Sequence, residues 1–148
     1  MRGRSRDEGL IADTEGRYLM KSVTVTMNMV LLVGNELSEV RMLRALIHTI
    51  SAELHRRPTL VLTASTEAEV LNVLSDHRIE ILIASYNRAA LGYDLIRWLN
   101  QAHLKMKMFL VASAGDTLPP ERELHKDGVD GVIRRPFDVQ HLKLVLDA

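Results

Sequence analysis

The stretch "ILIASYNRAALGYDLIRWLN", residues 81–100, passes from an unbroken apolar run through a polar loop to a glycine and an amphipathic segment. A short apolar run bounded by turn residues suits a buried strand. Beyond Gly92, Leu95 and Leu99 recur at helical spacing, so residues 92–103 read as a helix with those two side chains and Trp98 directed inward. A strand running directly into a helix is half of a βαβ unit.

The same alternation extends to both sides. "VTVTMNMVLLV" (23–33) reads as one strand ending at Gly34, and "SEVRMLRALIHTISAELH" (38–55) as a helix with Val40, Leu43, Ile47 and Ile50 on one face. "TLVLTA" (59–64) is a second strand, and "STEAEVLNVLSDH" opens a second helix with Thr66 and Glu69 at capping-box spacing. "IEILIAS" (79–85) and "MKMFLVASA" (106–114) are the third and fourth strands. Pro119 and Pro120 suit the first turn of a short helix that Gly128 ends. "DGVIRR" (130–135) is a fifth strand, and "DVQHLKLVLDA" (138–148) a last helix capped by Asp138. The order is (βα)5. Continuously apolar strands imply a sheet covered on both faces, hence a parallel, doubly wound α/β domain over residues 23–148. Residues 1–22, mixed in charge and punctuated by Gly3, Gly9 and Gly16, are expected to be a flexible tail, with a short docking helix over Leu10–Tyr18 as the alternative.

The composition narrows the function classes. A chain of 148 residues has the size of one domain, and zero formal net charge gives no global field favouring nucleic acid or an anionic membrane. The absence of cysteine removes disulfides, thiolate metal sites and cysteine nucleophiles, and fits a cytoplasmic location. No apolar run approaches the ~18 residues that span a bilayer. The six histidines do not converge in sequence: His48 and His55 are two helical turns apart, not the i, i+4 pair that zinc prefers, and His125 beside Lys126 suits a helix C-terminus. No GxGxxG, GxxxxGK[ST] or GxSxG is present, so nucleotide binding and hydrolase chemistry lack a phosphate cradle or a nucleophile elbow. The pairs Arg56–Arg57 and Arg134–Arg135 are too small for a nucleic-acid footprint.

In doubly wound sheets, ligands bind beyond the carboxyl ends of the strands. Those ends carry Gly34 and Asn35, Ser85, Ser113 and Ala114, and Arg135 with Pro136. Over roughly residues 28–148 the chain resembles the receiver domain of response regulators, the CheY-like family of two-component signalling. "VLLVGNELSEVRMLRALI", "EILIAS", "GYDLIRWL", "LVASA" and "DGVIRRPFD" stand in the family's order and spacing. The resemblance implies a five-stranded parallel sheet of order 2-1-3-4-5 and a proline, Pro136, that usually follows a cis bond.

Position by position, the resemblance also implies a degenerate pocket. The family's acidic pair falls on Gly34 and Asn35, its phosphoacceptor aspartate on Ser85, its hydroxyl residue on Ser113 and its lysine on Arg135. Its switch aromatic falls on Val132, and "NRAAL" makes the loop after Ser85 one residue short. Phosphotransfer needs a carboxylate nucleophile and a hard cation on oxygen ligands. A serine forms no acyl phosphate and is a weak nucleophile without a base. No enzyme activity, metal or cofactor is therefore expected. Arg135 has three readings: an anion ligand, a partner for Glu36, or a solvent-facing arginine snorkelling over the strand ends, the last being the ordinary expectation.

The expectation that follows is a phosphorylation-independent pseudo-receiver, a protein–protein interaction module that binds another signalling protein or itself. The family's usual surface (fourth helix, fifth strand, fifth helix) would present Leu124, His125, Val132, Arg134, His141 and Lys143, and would be the seam of a homodimer. The alternative is a small-ligand sensor holding an anion or nucleotide near Ser85, Ser113 and Arg135. A flavodoxin-like enzyme ranks third, because "VGNELSE" has a single glycine.

Overall fold

Two apolar patterns meet within residues 23–33. Val23 and Val25 alternate with threonines, which suits an antiparallel strand, whereas Met29–Val33 is apolar without a break, which suits a parallel strand buried on both faces. The computed structural model, which describes residues 11–12, 17–20, 23–26, 28–54, 58–86 and 92–147, with side chains from residue 28 onward, divides the segment there. The single strand expected over 23–33 is thus two. Ile11–Ala12 (β1), Arg17–Met20 (β2) and Val23–Thr26 (β3) form an antiparallel sheet in which Tyr18 faces Val25 and Met20 faces Val23. Asn28–Val33 (β4) begins the parallel sheet. Within residues 1–22 the described segments are strands, not the helix considered over Leu10–Tyr18.

The larger sheet continues with Thr59–Ala64 (β5), Ile81–Ser85 (β6), Lys107–Ser113 (β7) and Gly131–Arg135 (β8). Its strand order is β5-β4-β6-β7-β8, all parallel, which is 2-1-3-4-5 counted within this unit. Among the described residues, five helices cover it: Leu37–Leu54 (α1), Glu67–Asp76 (α2), Gly92–Gln101 (α3), Glu121–Lys126 (α4) and Val139–Asp147 (α5). The chain has the expected doubly wound (βα)5 architecture.

Strand alternation sends each side chain to one of two cores. Leu31, Leu82 and Leu110 pack with Val70 of α2, Leu95 and Leu99 of α3, and Leu124 of α4. Val30, Leu32, Ile83, Val111 and Ile133 pack with Leu43, Ile47 and Ile50 of α1 and Leu142 of α5. Truncating a fully buried leucine such as Leu82 or Leu110 to alanine costs about 2–5 kcal/mol, so either core is essential to a domain of this size.

The helix starts follow local chemistry. The Thr66 hydroxyl accepts from the Glu69 N–H at 3.2 Å, while the Glu69 carboxylate reaches back to the N–H and hydroxyl of Ser65. Asp138 accepts from the Gln140 N–H at 2.9 Å and caps α5. Pro120 precedes α4, and Gly128 after it adopts φ +106°, a left-handed conformation, against Asn100 of α3. The Arg135–Pro136 bond is cis. Trp98, expected to face inward, is instead 51% exposed, because Leu95, Ile96 and Leu99 already fill the inward face of α3. His55, the Arg56–Arg57 pair and the loop "NRAAL" lie outside the described residues.

Candidate functional site

Register brings the strand ends together. Ser85 pairs with Val111 across β6 and β7, and Ser113 pairs with Arg135 across β7 and β8. Ser85, Ser113 and Arg135 each stand an even number of residues beyond Ile83, Val111 and Ile133, which face α1 and α5. Their side chains therefore leave the sheet on the α1 side. Gly34, two residues past Leu32, shares that phase, and a Cβ there would lie 3.0 Å from the Ser85 Oγ.

The group that meets them is Glu39, in the first turn of α1. Its Oε1 accepts from the Ser85 hydroxyl at 3.2 Å and from Arg135 Nη2 at 2.9 Å, and its Oε2 accepts from Arg135 Nε. The guanidinium thus grips both carboxylate oxygens, the planar two-point pairing that arginine makes best. Arg135 Nη1 also donates to the Ser113 Oγ at 3.0 Å. Only 11% of the Glu39 side chain and 27% of the Arg135 side chain remain exposed.

The electrostatics follow the geometry. The hydrogen bond from Arg135 holds the Glu39 carboxyl below its ordinary range. Burial opposes this, and the charge of Arg135 and the Ser85 hydroxyl reinforce it. The bond to Glu39 in turn raises Arg135 above its ordinary value. Both partners are ionised at neutral pH, and each satisfies the other.

Sequence reasoning brought Ser85, Ser113, Arg135 and Gly34 to one place, and they meet there. It missed Glu39 and offered Glu36 to Arg135 instead. Glu36 caps α1: its carboxylate accepts from the Ser38 N–H and hydroxyl, and its carbonyl from the Val40 N–H. The overlooked signal was periodicity, since Glu39 lies four residues before Leu43 and extends the buried face by one turn.

These residues do not fit a magnesium site of the kind the receiver resemblance implies. A hard divalent cation needs several oxygen ligands carrying negative charge. Gly34 offers no side chain, Asn35 is an exposed neutral amide, Glu36 is turned to its helix, and both Glu39 oxygens are bound to Arg135. Among the described residues, no three His, Asp or Glu side chains gather to hold a metal.

The other candidate positions lie on the α4–β8–α5 side. Leu124 is 6% exposed and belongs to the core, while His125 and Arg134 are exposed. Val132 and His141 are half-buried. Arg134 donates to the Ser113 carbonyl at 3.1 Å, and Lys143 pairs with Glu53 of α1 at 3.1 Å. A groove of about 500 Å³ runs between α4 and β8, lined by Leu118, Pro119, Leu124, Val132 and Arg134 among others. Among the described residues, no helix is long and apolar enough to cross a membrane.

No family profile and no curated protein matches the sequence. Solved structures do match. The receiver domain of Francisella response regulator 1452 is 16% identical, with a TM-score of 0.65 over 81% of this chain and 93% of that one. A response regulator receiver domain protein from Clostridium thermocellum is 21% identical, with a TM-score of 0.65 over 81% and 91%. The Vibrio cholerae chemotaxis protein CheY4 is 19% identical, with a TM-score of 0.66 over 82% and 98%. At these identities the likeness concerns the backbone, and on that ground the chain has the fold of response-regulator receiver domains.

Proposed function

We propose that this chain is a pseudo-receiver: a cytoplasmic protein–protein interaction module of bacterial signal transduction that works without phosphorylation and catalyses no phosphoryl transfer. The observation carrying this reading is the closed Glu39–Arg135–Ser85–Ser113 network at the strand ends. Where phosphotransfer would need a free carboxylate and a cation site, this chain has a hydroxyl and an arginine already saturated by its own glutamate. Recognition then falls to the surface. The groove beside Val132, with Arg134 and His125 at hand, gives the α4–β8–α5 side both shape and polarity for another signalling protein or a second copy. The sensor reading is weakened, because Arg135 has no charge to spare for a free anion while Glu39 holds it.

Sedimentation velocity over a concentration series, with and without Mg²⁺ and acetyl phosphate, tests the proposal. Concentration-dependent self-association that ignores both additives, and that weakens in Arg134→Glu, is the expected result. Association that appears only with both additives present would overturn the phosphorylation-independent reading. A monomer at every concentration would leave a different signalling protein as the partner and refute the homodimer.

A further inference from the structure

The pairing at the strand ends has the form of a receptor with its ligand. A guanidinium fork engages two oxygens of one planar anion, a hydroxyl donates to one of those oxygens, and a second hydroxyl fixes the guanidinium from behind. Charge-assisted, two-point contacts of this kind are how proteins recognise carboxylates and phosphates. Three of the four parts stand at the ends of three adjacent parallel strands, in register with one another. The fourth, Glu39, comes from a helix and is the one member that supplies the negative charge.

We propose that Arg135, Ser85 and Ser113 form an oxyanion-binding cradle whose resident ligand is the chain's own Glu39 carboxylate, so that the site accepts a small free oxyanion only when that side chain is removed. Glu39 is then a tethered occupant and not merely one half of a stabilising ion pair, and the two readings differ in what remains after truncation. An ion pair leaves behind an arginine that turns to solvent. A cradle leaves a preorganised site.

The experiment is a thermal-shift titration of the intact chain and of Glu39→Ala with formate, acetate and inorganic phosphate, each against chloride at matched ionic strength. The wild-type protein is expected to show no anion-specific shift. Glu39→Ala is expected to melt lower and to recover in a saturable manner with at least one of the three, as linkage requires of a ligand that binds only the folded state. The planar anions report a slot shaped like the lost carboxylate, and phosphate reports room for a tetrahedral one. In Glu39→Ala/Arg135→Ala the apparent affinity should fall by about tenfold or more, the effect of losing a charge-assisted contact. If Glu39→Ala does not fold, Glu39→Ser, which also vacates the space of the carboxylate but keeps a small polar group at the start of α1, takes the same titration with the same expectation. The proposal fails if the folded variant shows no response beyond chloride, if the wild-type protein responds equally, or if recovery survives the loss of Arg135.

Discussion

Glu39 lies four residues before Leu43, on the face of α1 that meets the sheet, and this places a carboxylate among groups that lower its pKa. A glutamate whose folded pKa is depressed contributes stability that is present above its unfolded value of 4.5 and is lost as pH falls through the lower, folded value. Glu39→Gln removes that contribution at every pH. The stability gap between wild-type and variant, measured by chemical denaturation at a series of pH values, should therefore be widest near neutrality and shrink on acidification below 4.5. A gap that stays constant through that window would mean that the Arg135 contact does not perturb Glu39. The residue itself was legible only in part. Its type and its helical phase are in the sequence, but Arg135 lies 96 residues away, and nothing local distinguishes Glu39 from Glu36 as its partner. Glu36 was the misleading choice because helix starts recruit acids for their own N–H groups.

At the scale of elements, Gly92 begins α3 directly against the end of β6. A Cβ at 92 would lie 2.1 Å from the Ser85 carbonyl oxygen, a backbone atom that cannot rotate away. Gly92→Ala must therefore separate α3 from β6, and it should cost about 1–3 kcal/mol or more, as overpacking of a close contact does. Gly115→Ala is the matching control: nothing lies within 4 Å of its Cβ, and it should be neutral or stabilise by about 0.4–1 kcal/mol through the unfolded chain. Thermal melts of the two variants decide whether the glycine after β6 is there for contact or for flexibility. A loss at 92 no greater than at 115 would mean that the α3–β6 junction is loose. Elements of this kind were well announced by the sequence, because continuous apolar runs, Thr66, Asp138 and Pro120 act through near neighbours. Trp98 was not, since three apolar neighbours already fill the turn and the 3.6-residue period leaves no room for a fourth. The division between β3 and β4 was readable in the change from alternation to continuity, yet β-favouring residues on both sides of it blur the boundary.

At the scale of the whole molecule, the site draws on β4, β6, β7, β8 and α1, so introducing acids at its strand ends tests the arrangement of the entire sheet. Gly34→Asp, Asn35→Asp, Ser85→Asp and Arg135→Lys together would place three new carboxylates at the strand ends. Glu39 would remain as a fourth, without the two-point grip of the guanidinium. Like charges this close resist joint ionisation and destabilise the metal-free fold, so the variant should melt well below the wild-type protein. A cation that binds only the folded state reverses such a loss, and Mg²⁺ should raise the melting temperature in a saturable manner. Adding Glu39→Ala should soften the initial loss while keeping the Mg²⁺ response, because it removes a repelling charge that is not one of the three designed ligands. Steric fit sets a limit: a Cβ at 34 stands 3.0 Å from the Ser85 Oγ, and the carboxylate introduced by Ser85→Asp would have to turn toward the cation to make room. Self-association should be unchanged by Mg²⁺ in this variant, since Val132 remains a small side chain on the far phase of β8 and nothing there reports the state of the pocket. A folded variant that ignores Mg²⁺ would show that the ends of β4 and β6 do not converge as the register requires. A variant whose association followed Mg²⁺ would show that the pocket and the α4–β8–α5 surface are coupled without an aromatic at 132.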